Sequence, residues 1–409
     1  MKKIFTLMFF SAIGLCGFSQ SSVVDSLKEV ISIHEGKLNA LDDRVLVNEA
    51  DLGKLNKIKL SGYIQAQFEY YGKDLFATNE PSNTFYVRRA RVKFTYEAVD
   101  GVKFVLQPDF STGNLTLKDA YAVVNIPVPA LKNWSLWAGQ FSRPDYEVEY
   151  SSGQREVLER SKVIRAIYPG EREIGAKLEY AGTTIPLKLQ LAALNGNFTG
   201  TQAKDIDSRK DIMARLVYSV KMPSAGLGID FGVNGYFGGN RAKTNKYVLG
   251  SDNLLDSINV GDYLKKQWYG AEAQIYADIL GGLALKGEFI TGTNSTPSTI
   301  ASTATMAAMK ADPNKLKNFT GYYIYLIKNV GQKNQFVARY DYYDPNTKLA
   351  GDAAKKDIWY KTLTVAWQYY LNDNIRISVN YEIPKNEVNS TYMTNLKDNV
   401  LGVRIQTKF

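Results

Sequence analysis

The sequence predicts an all-β fold, a transmembrane antiparallel β-barrel of about sixteen strands preceded by a short N-terminal coiled-coil helix. Three observations predict it. From Lys59 onward, short stretches alternate apolar with polar residues. The last does so cleanly, with Leu401, Val403, Ile405 and Phe409 on one face and Gly402, Arg404, Gln406 and Lys408 on the other. The gaps between stretches are by turns short and long. The composition is rich in tyrosine, 27 Tyr against 18 Phe and 5 Trp, and a ring with a wet tip suits the aromatic girdles at bilayer interfaces. A strand with one apolar and one polar face suits a wall between lipid and water. The chain also ends on an aromatic residue, Phe409, as many outer-membrane barrels do.

Residues 1–20 read as a secretory signal: Lys2 and Lys3, an apolar stretch from Ile4 to Leu15, then small residues. Cleavage near Ser19 to Ser21 removes Cys16, the only cysteine. Leu15, standing where a lipoprotein carries a small residue, argues against acylation of Cys16. Losing Lys2 and Lys3 lowers the formal charge from +9 to +7. The mature chain stays basic, which favours anionic partners without implying nucleic acid.

Residues 22–57 fall into heptads. Val24, Ile31, Leu38, Val45 and Leu52 hold one core position, and Leu27, His34, Leu41, Asn48 and Leu55 the other. That repeat predicts a coiled coil with a partner, hence a homo-oligomer, and a trimer by analogy with porins. Gly36 and Gly53 weaken the helix locally. A helix packed back on its own barrel is the competing reading.

Residues 58–409 form the barrel. Sixteen candidate strands lie near 59–71, 84–97, 101–110, 116–126, 133–141, 172–181, 185–194, 210–221, 226–238, 266–278, 282–291, 319–328, 333–343, 358–370, 374–383 and 399–409. An even number places both termini at the short-turn side, the periplasmic one. Sixteen strands leave an aqueous channel, where about eight would fill with side chains.

Alternation assigns the faces. With Val92, Phe94 and Tyr96 toward lipid, Arg89, Arg91 and Lys93 point inward; with Val102, Phe104 and Leu106 outward, Lys103 and Gln107 point inward. Arg215, Arg339, Arg376 and Arg404 share the inner face with Asp109, Glu272, Asp341 and Glu382. Arg88 falls on the lipid side in this register. The connection 142–171 follows the fifth strand, where general porins carry a loop that narrows the pore. It holds Arg143, Arg155, Arg160, Lys162 and Arg165 among Glu147, Glu149, Glu156 and Glu159. Planar guanidinium forks of this kind bind oxyanions bidentately; a solvated loop with compensated charges is the bland alternative.

Several stretches resemble the phosphate-selective porin O and P family. They are Gly62-Tyr63-Ile64-Gln65-Ala66-Gln67, Phe85-Tyr86-Val87-Arg88-Arg89-Ala90-Arg91-Val92, Asp119-Ala120-Tyr121, and Trp137-Ala138-Gly139-Gln140-Phe141-Ser142-Arg143-Pro144. Glu159-Arg160-Ser161 and Pro169-Gly170-Glu171-Arg172-Glu173-Ile174-Gly175 follow in the same order. The likeness covers roughly 60–409 and is densest before 180. It implies a sixteen-stranded trimeric channel that conducts anions past basic lumen residues and an inward-folded loop. Arg89, Arg91, Arg143, Glu159, Arg160 and Arg172 match its motif positions, Arg143 standing where the family has a lysine before the proline.

Enzymatic barrels use histidine as base, and the only His here is His34, in the stalk. Histidine or cysteine metal sites fail on the same count, and no cofactor is implied. The expected function is an outer-membrane porin, a passive channel for small hydrophilic or anionic solutes. Its pore-lining residues would be Arg89, Arg91, Lys93, Lys103, Arg143, Arg155, Arg160, Arg165 and Arg172. Its partners would be outer-membrane lipid, two further copies, and through the stalk peptidoglycan or an envelope protein. The rival readings are a structural or adhesive barrel and a platform for secretion or surface assembly.

Overall fold

The computed structural model describes residues 27–49, 51–53, 57–72, 82–111, 113, 115–144, 148–196, 205, 207–396 and 398–409. The expected signal at 1–20 with Cys16, the heptad positions Val24 and Leu55, and Glu147 of the long connection lie outside them.

Helix α1 covers 27–49 and 51–53, and its described residues are all exposed, the heptad residues Leu27, Ile31, Leu38, Leu41, Val45 and Leu52 among them. His34 Nδ1 lies 2.8 Å from the Val30 carbonyl oxygen, a bond within the helix.

Sixteen strands build the barrel. The first eight are β1 (Ile58–Tyr71), β2 (Ser82–Val99), β3 (Val102–Asp109), β4 (Thr116–Asn125), β5 (Trp134–Ser142), β6 (Arg172–Ala181), β7 (Leu187–Leu194) and β8 (Asp211–Met222). The second eight are β9 (Leu227–Arg241), β10 (Tyr263–Ala277), β11 (Leu283–Thr296), β12 (Asn314–Val330), β13 (Asn334–Asp344), β14 (Tyr360–Tyr370), β15 (Ile375–Asn386) and β16 (Val400–Lys408). Each pairs antiparallel with the next. The ring closes where β1 meets β16, from Tyr63 opposite Lys408 to Tyr71 opposite Val400. Gly62 and Phe409 seal that seam by exchanging backbone hydrogen bonds of 3.0 Å.

All sixteen expected strands are present. The largest boundary differences lie at the long-loop ends: β11 runs to Thr296 and β12 starts at Asn314. Both extensions (292–296 and 314–318) hold one large apolar residue between them, Leu316, so no apolar face marked them in the sequence. A small hairpin, Tyr247–Leu249 with Leu255–Ser257, ornaments the connection 242–262.

The alternation holds along most of the wall. Phe94, Tyr96, Phe104 and Leu106 are exposed on the lipid side, while Arg89, Arg91, Gln107 and Asp109 are buried on the inner side. Arg88 departs from its expected direction. It bonds inward to Glu159 at 2.8 and 2.9 Å, and Tyr86 bonds inward to Glu69 at 2.9 Å. Because Arg89 also bonds inward, to Gln65 at 2.9 Å, two consecutive side chains turn into the lumen. A one-residue slip of this kind flips every side chain on one side of it.

Inside the barrel the connection 143–171 carries a short helix, α2 (Lys162–Ile167). Val163, Ile164 and Ile167 of α2, with Val148, Val157 and Tyr168, pack on Leu194, Met213, Tyr236, Trp268, Ile290, Phe319, Tyr323 and Tyr325 of the wall. Under the loop the inner face is therefore apolar where the alternation rule called for polar residues. The loop itself covers those wall residues. Val163 and Ile164 have no exposed surface, so each contributes about 1.5–3 kcal/mol to holding the loop.

Candidate functional site

The root of the loop is apolar, and its far part is held by polar bonds that reach around the ring. The Ser152 hydroxyl meets Tyr63 Oη of β1 at 2.6 Å and accepts from Arg91 of β2 at 3.0 Å. The Gly153 carbonyl accepts from Gln406 of β16 at 2.9 Å and Arg376 of β15 at 3.4 Å. Lys286 of β11 donates to Glu156 at 2.5 Å. Glu149 has no exposed surface; it accepts from Ser161 Oγ at 2.8 Å, from the Ser161 amide at 2.7 Å, from Arg339 at 3.1 Å and from Tyr325 Oη. Removing one partner from the Glu149–Arg339 pair, neither side chain exposed, leaves an uncompensated buried charge and is costly.

Two cavities flank the loop. One of about 500 Å³ opens toward the long connections and is lined by Glu69, Tyr71, Tyr86, Arg88, Leu158, Glu159, Arg165 and Glu382. The other, of about 650 Å³, lies among the short turns and meets the loop at Glu156 beside Lys286.

The structure divides the expected basic set. Arg143 is stacked in the loop root, its guanidinium carbon 4.1 Å from the centre of the Tyr168 ring, 5.1 Å from Tyr236 and 5.7 Å from Trp268. It works there as packing and cation–π contact. Arg172 pairs with Asp119 at 2.9 Å and Glu171 at 3.0 Å. Arg160 pairs with Glu171 and donates to the Glu149 and Tyr150 carbonyls at 3.0 Å each. Lys103 stands apart from Arg89 and Arg91. It is exposed beside Glu97 at 3.6 Å, near the β2–β3 turn and roughly 20 Å along the strand from the Arg91–Asp109 level. The sequence grouped it with them because adjacent strands were judged by residue type and not by height. Lys93 is half-buried on the inner row below Arg91. Arg165 is exposed at the larger-loop cavity.

Arg89 and Arg155 come together, while Arg91 has its own partners. Arg91 donates to Asp109 at 2.7 Å and to Tyr63 at 3.1 Å. Arg155 is the strongest charged neighbour of Arg89. Arg155 is 3% exposed, and among the described residues none of its three guanidinium nitrogens meets an acceptor; the Arg89 Nε also lacks one there. Four residues matter that the expected set left out. Arg404 donates to Glu159 at 3.0 Å and to the Leu158 carbonyl at 3.1 Å. Glu149 and Arg339 anchor the loop, and Glu159 gathers arginines. The inward direction of Arg404 and Arg339 was legible in the alternation; their partners depend on the path of the loop.

Lys162 sits with its ammonium 3.0 Å from the centre of the Tyr360 ring. Burial pushes it down to about 8, with Arg165 acting the same way and Asp398 and Asp341 opposing. Between about 8 and the ordinary lysine range of about 10.4 the unfolded chain holds a proton that the folded one does not. Stability from this group therefore rises with pH in that window, while the folded lumen loses a positive charge. The reversal potential in a salt gradient is expected to shift toward cations between pH 7 and 9, and Lys162→Arg to abolish that shift. A pH-independent potential in the wild type would remove Lys162 from the conduction path.

A family model described as phosphate-selective porin O and P matches residues 58–266. Comparison with curated protein sequences gives no match. Among solved structures, OprB of Pseudomonas putida at high pH is similar at 10% identity and a TM-score of 0.59, over 88% of this chain and 96% of that one. The anion-selective porin of Comamonas acidovorans is similar at 12% identity and a TM-score of 0.53, over 86% of this chain and 99% of that one. The trimer form of OmpT from Vibrio cholerae is similar at 10% identity and a TM-score of 0.53, with the same two coverages. At such identities these likenesses speak for the fold.

Proposed function

The chain belongs to the phosphate-selective porin O and P family, a bacterial outer-membrane channel and not an enzyme, and from that premise we propose a passive, trimeric channel that prefers small oxyanions such as phosphate. The observation that carries the preference is the unsatisfied guanidinium of Arg155 beside Arg89. A buried guanidinium without hydrogen-bond acceptors is costly even with carboxylates in the neighbourhood, and an entering oxyanion would supply acceptors. Arg88, Arg91, Arg165 and Lys93 would add to the field along the inner wall. The Comamonas structure, named as anion-selective, supports the same reading.

The trimer draws support from α1, whose heptad residues Leu27, Ile31, Leu38, Leu41, Val45 and Leu52 are exposed in a single chain and would be covered by copies of themselves. The solved OmpT form is named as a trimer. On this reading residues 1–20 are removed on export, both termini lie in the periplasm, and the stalk meets peptidoglycan or an envelope protein.

Planar-bilayer conductance of the purified oligomer tests the proposal. The expected record has steps in groups of three, an anion-selective reversal potential in a KCl gradient, and block by added phosphate. Steps without selectivity would leave a general porin. The loop's bonds to wall strands all round the ring favour one rival, a closed structural barrel, and a folded oligomer with no conductance at all would establish it.

A further inference from the structure

Glu159 stands where an anion would stand. Its carboxylate takes both arms of Arg88, at 2.8 and 2.9 Å, and a third bond from Arg404 at 3.0 Å. A forked guanidinium gripping two carboxylate oxygens is the geometry with which arginine holds a phosphate or a free carboxylate. Arg89 and Arg155 are the next charges around it, and these two have donors to spare. Burial opposes ionisation of Glu159, but the Arg88 hydrogen bond and the charges of Arg88, Arg89 and Arg155 outweigh it and hold the carboxyl well below the usual carboxylate range. Glu159 is thus a permanent anion at physiological pH.

The side chain of this occupant is placed to move. The Glu159 side chain is 18% exposed and Arg88 34% exposed, both on the wall of the 500 Å³ cavity that opens to the long connections. Leu158, the preceding residue, lies over a bare spot on the wall, Gly402, where a Cβ would come within 2.4 Å of Leu158 Cδ1. The backbone here is fixed, with Arg339 donating to the Glu159 carbonyl at 2.7 Å and Arg404 to the Leu158 carbonyl at 3.1 Å, so what can move is the Glu159 side chain and not the loop.

We propose that Glu159 is a tethered stand-in for the permeating solute, filling an oxyanion subsite made by Arg88, Arg404, Arg89 and Arg155 until a free oxyanion displaces it. The inference rests on the anion-channel reading above and adds to it a residue that sets the threshold of binding. Displacement favours an oxyanion that can engage two arginines at once, such as phosphate or a carboxylate, over chloride, which cannot replace a bidentate contact. It also changes the cavity. With Glu159 in place the lining cations Arg88 and Arg165 face Glu69, Glu159 and Glu382, so the entrance is not basic. With Glu159 displaced the buried arginines behind it come into play.

The test is block of KCl current by inorganic phosphate in the full-length oligomer, wild type against Glu159→Gln. The amide keeps the shape and loses the charge, so phosphate should bind about tenfold more tightly, the size of one charge-assisted hydrogen bond. Unchanged or weaker block in a variant with wild-type steps overturns the proposal while the anion-channel reading stands. A wild type with neither anion bias nor phosphate block overturns both. Should Glu159→Gln fail to assemble, Glu159→Asp serves. It keeps the charge but is one methylene too short to bridge Arg88 and Arg404, so tighter block is again expected and unaltered block refutes the idea.

Discussion

Reversing two charges together, Arg89→Glu with Arg155→Glu, is expected to turn an anion-biased channel into a cation-biased one. The two guanidinium groups are neighbours, both are buried, and between them four nitrogens have no acceptor. Such donors gain most from a passing anion and repel a passing cation most strongly, because little water screens them. Each reversal changes the local charge by two, so the pair shifts it by four in every pore. The sign of the reversal potential in a salt gradient reads the result. Arg89→Gln with Arg155→Gln should give an intermediate value, which separates charge from any change in pore width. A channel that stays anion-selective through both pairs would place the selectivity elsewhere, and the Arg165 mouth would be the next place to look.

The second large effect concerns the loop. Glu149→Ala is expected to cost about 3–5 kcal/mol. It strips the acceptor from Arg339 (3.1 Å, neither side chain exposed) and from Tyr325 and Ser161 together. Arg339 keeps Asp341 at 3.2 Å and Thr364 at 3.1 Å, so the barrel should survive with a loosened loop. A lower denaturation midpoint and a noisier, larger conductance are the expected signs. Glu149→Gln should lose less than Glu149→Ala, since its amide oxygen can still accept from Arg339 and Ser161. No loss in Glu149→Ala would mean that the anchor lies in the apolar root alone.

Much of this was open to the sequence and some was not. Strand number and the rhythm of turns follow from a period of two residues against lipid, which leaves a mark wherever one face is apolar. Arg339, Arg376 and Arg404 were placed inward by that rule and are inward. The slip at Arg88 left no mark, because Arg88-Arg89 reads the same in either register. Lys103 was misjudged as part of the Arg89–Arg91 group because strand height is not written in residue type. The loop shows the clearest shortfall. Its charges drew the attention, while Val163, Ile164, Ile167 and Tyr168 carried a helical apolar spacing that announces a packed face. Their partners Trp268 and Phe319 sit on rows where a water-filled lumen calls for polar residues. No rule of alternation predicts that a loop will cover its own wall.

The apolar root also sets an order of events in time. Its six loop residues leave the chain between β5 and β6, yet most of their partners belong to β7 through β12. When the loop is made, the surface it will rest on has not been made. Contacts so distant in sequence form late and slowly, and the ring itself closes only when β16 finds β1. The loop must therefore wait, its valines and isoleucines uncovered, until the wall curls around it. Once the seam at Gly62 and Phe409 is shut, it lies inside a closed ring. Shutting that seam therefore also encloses the loop.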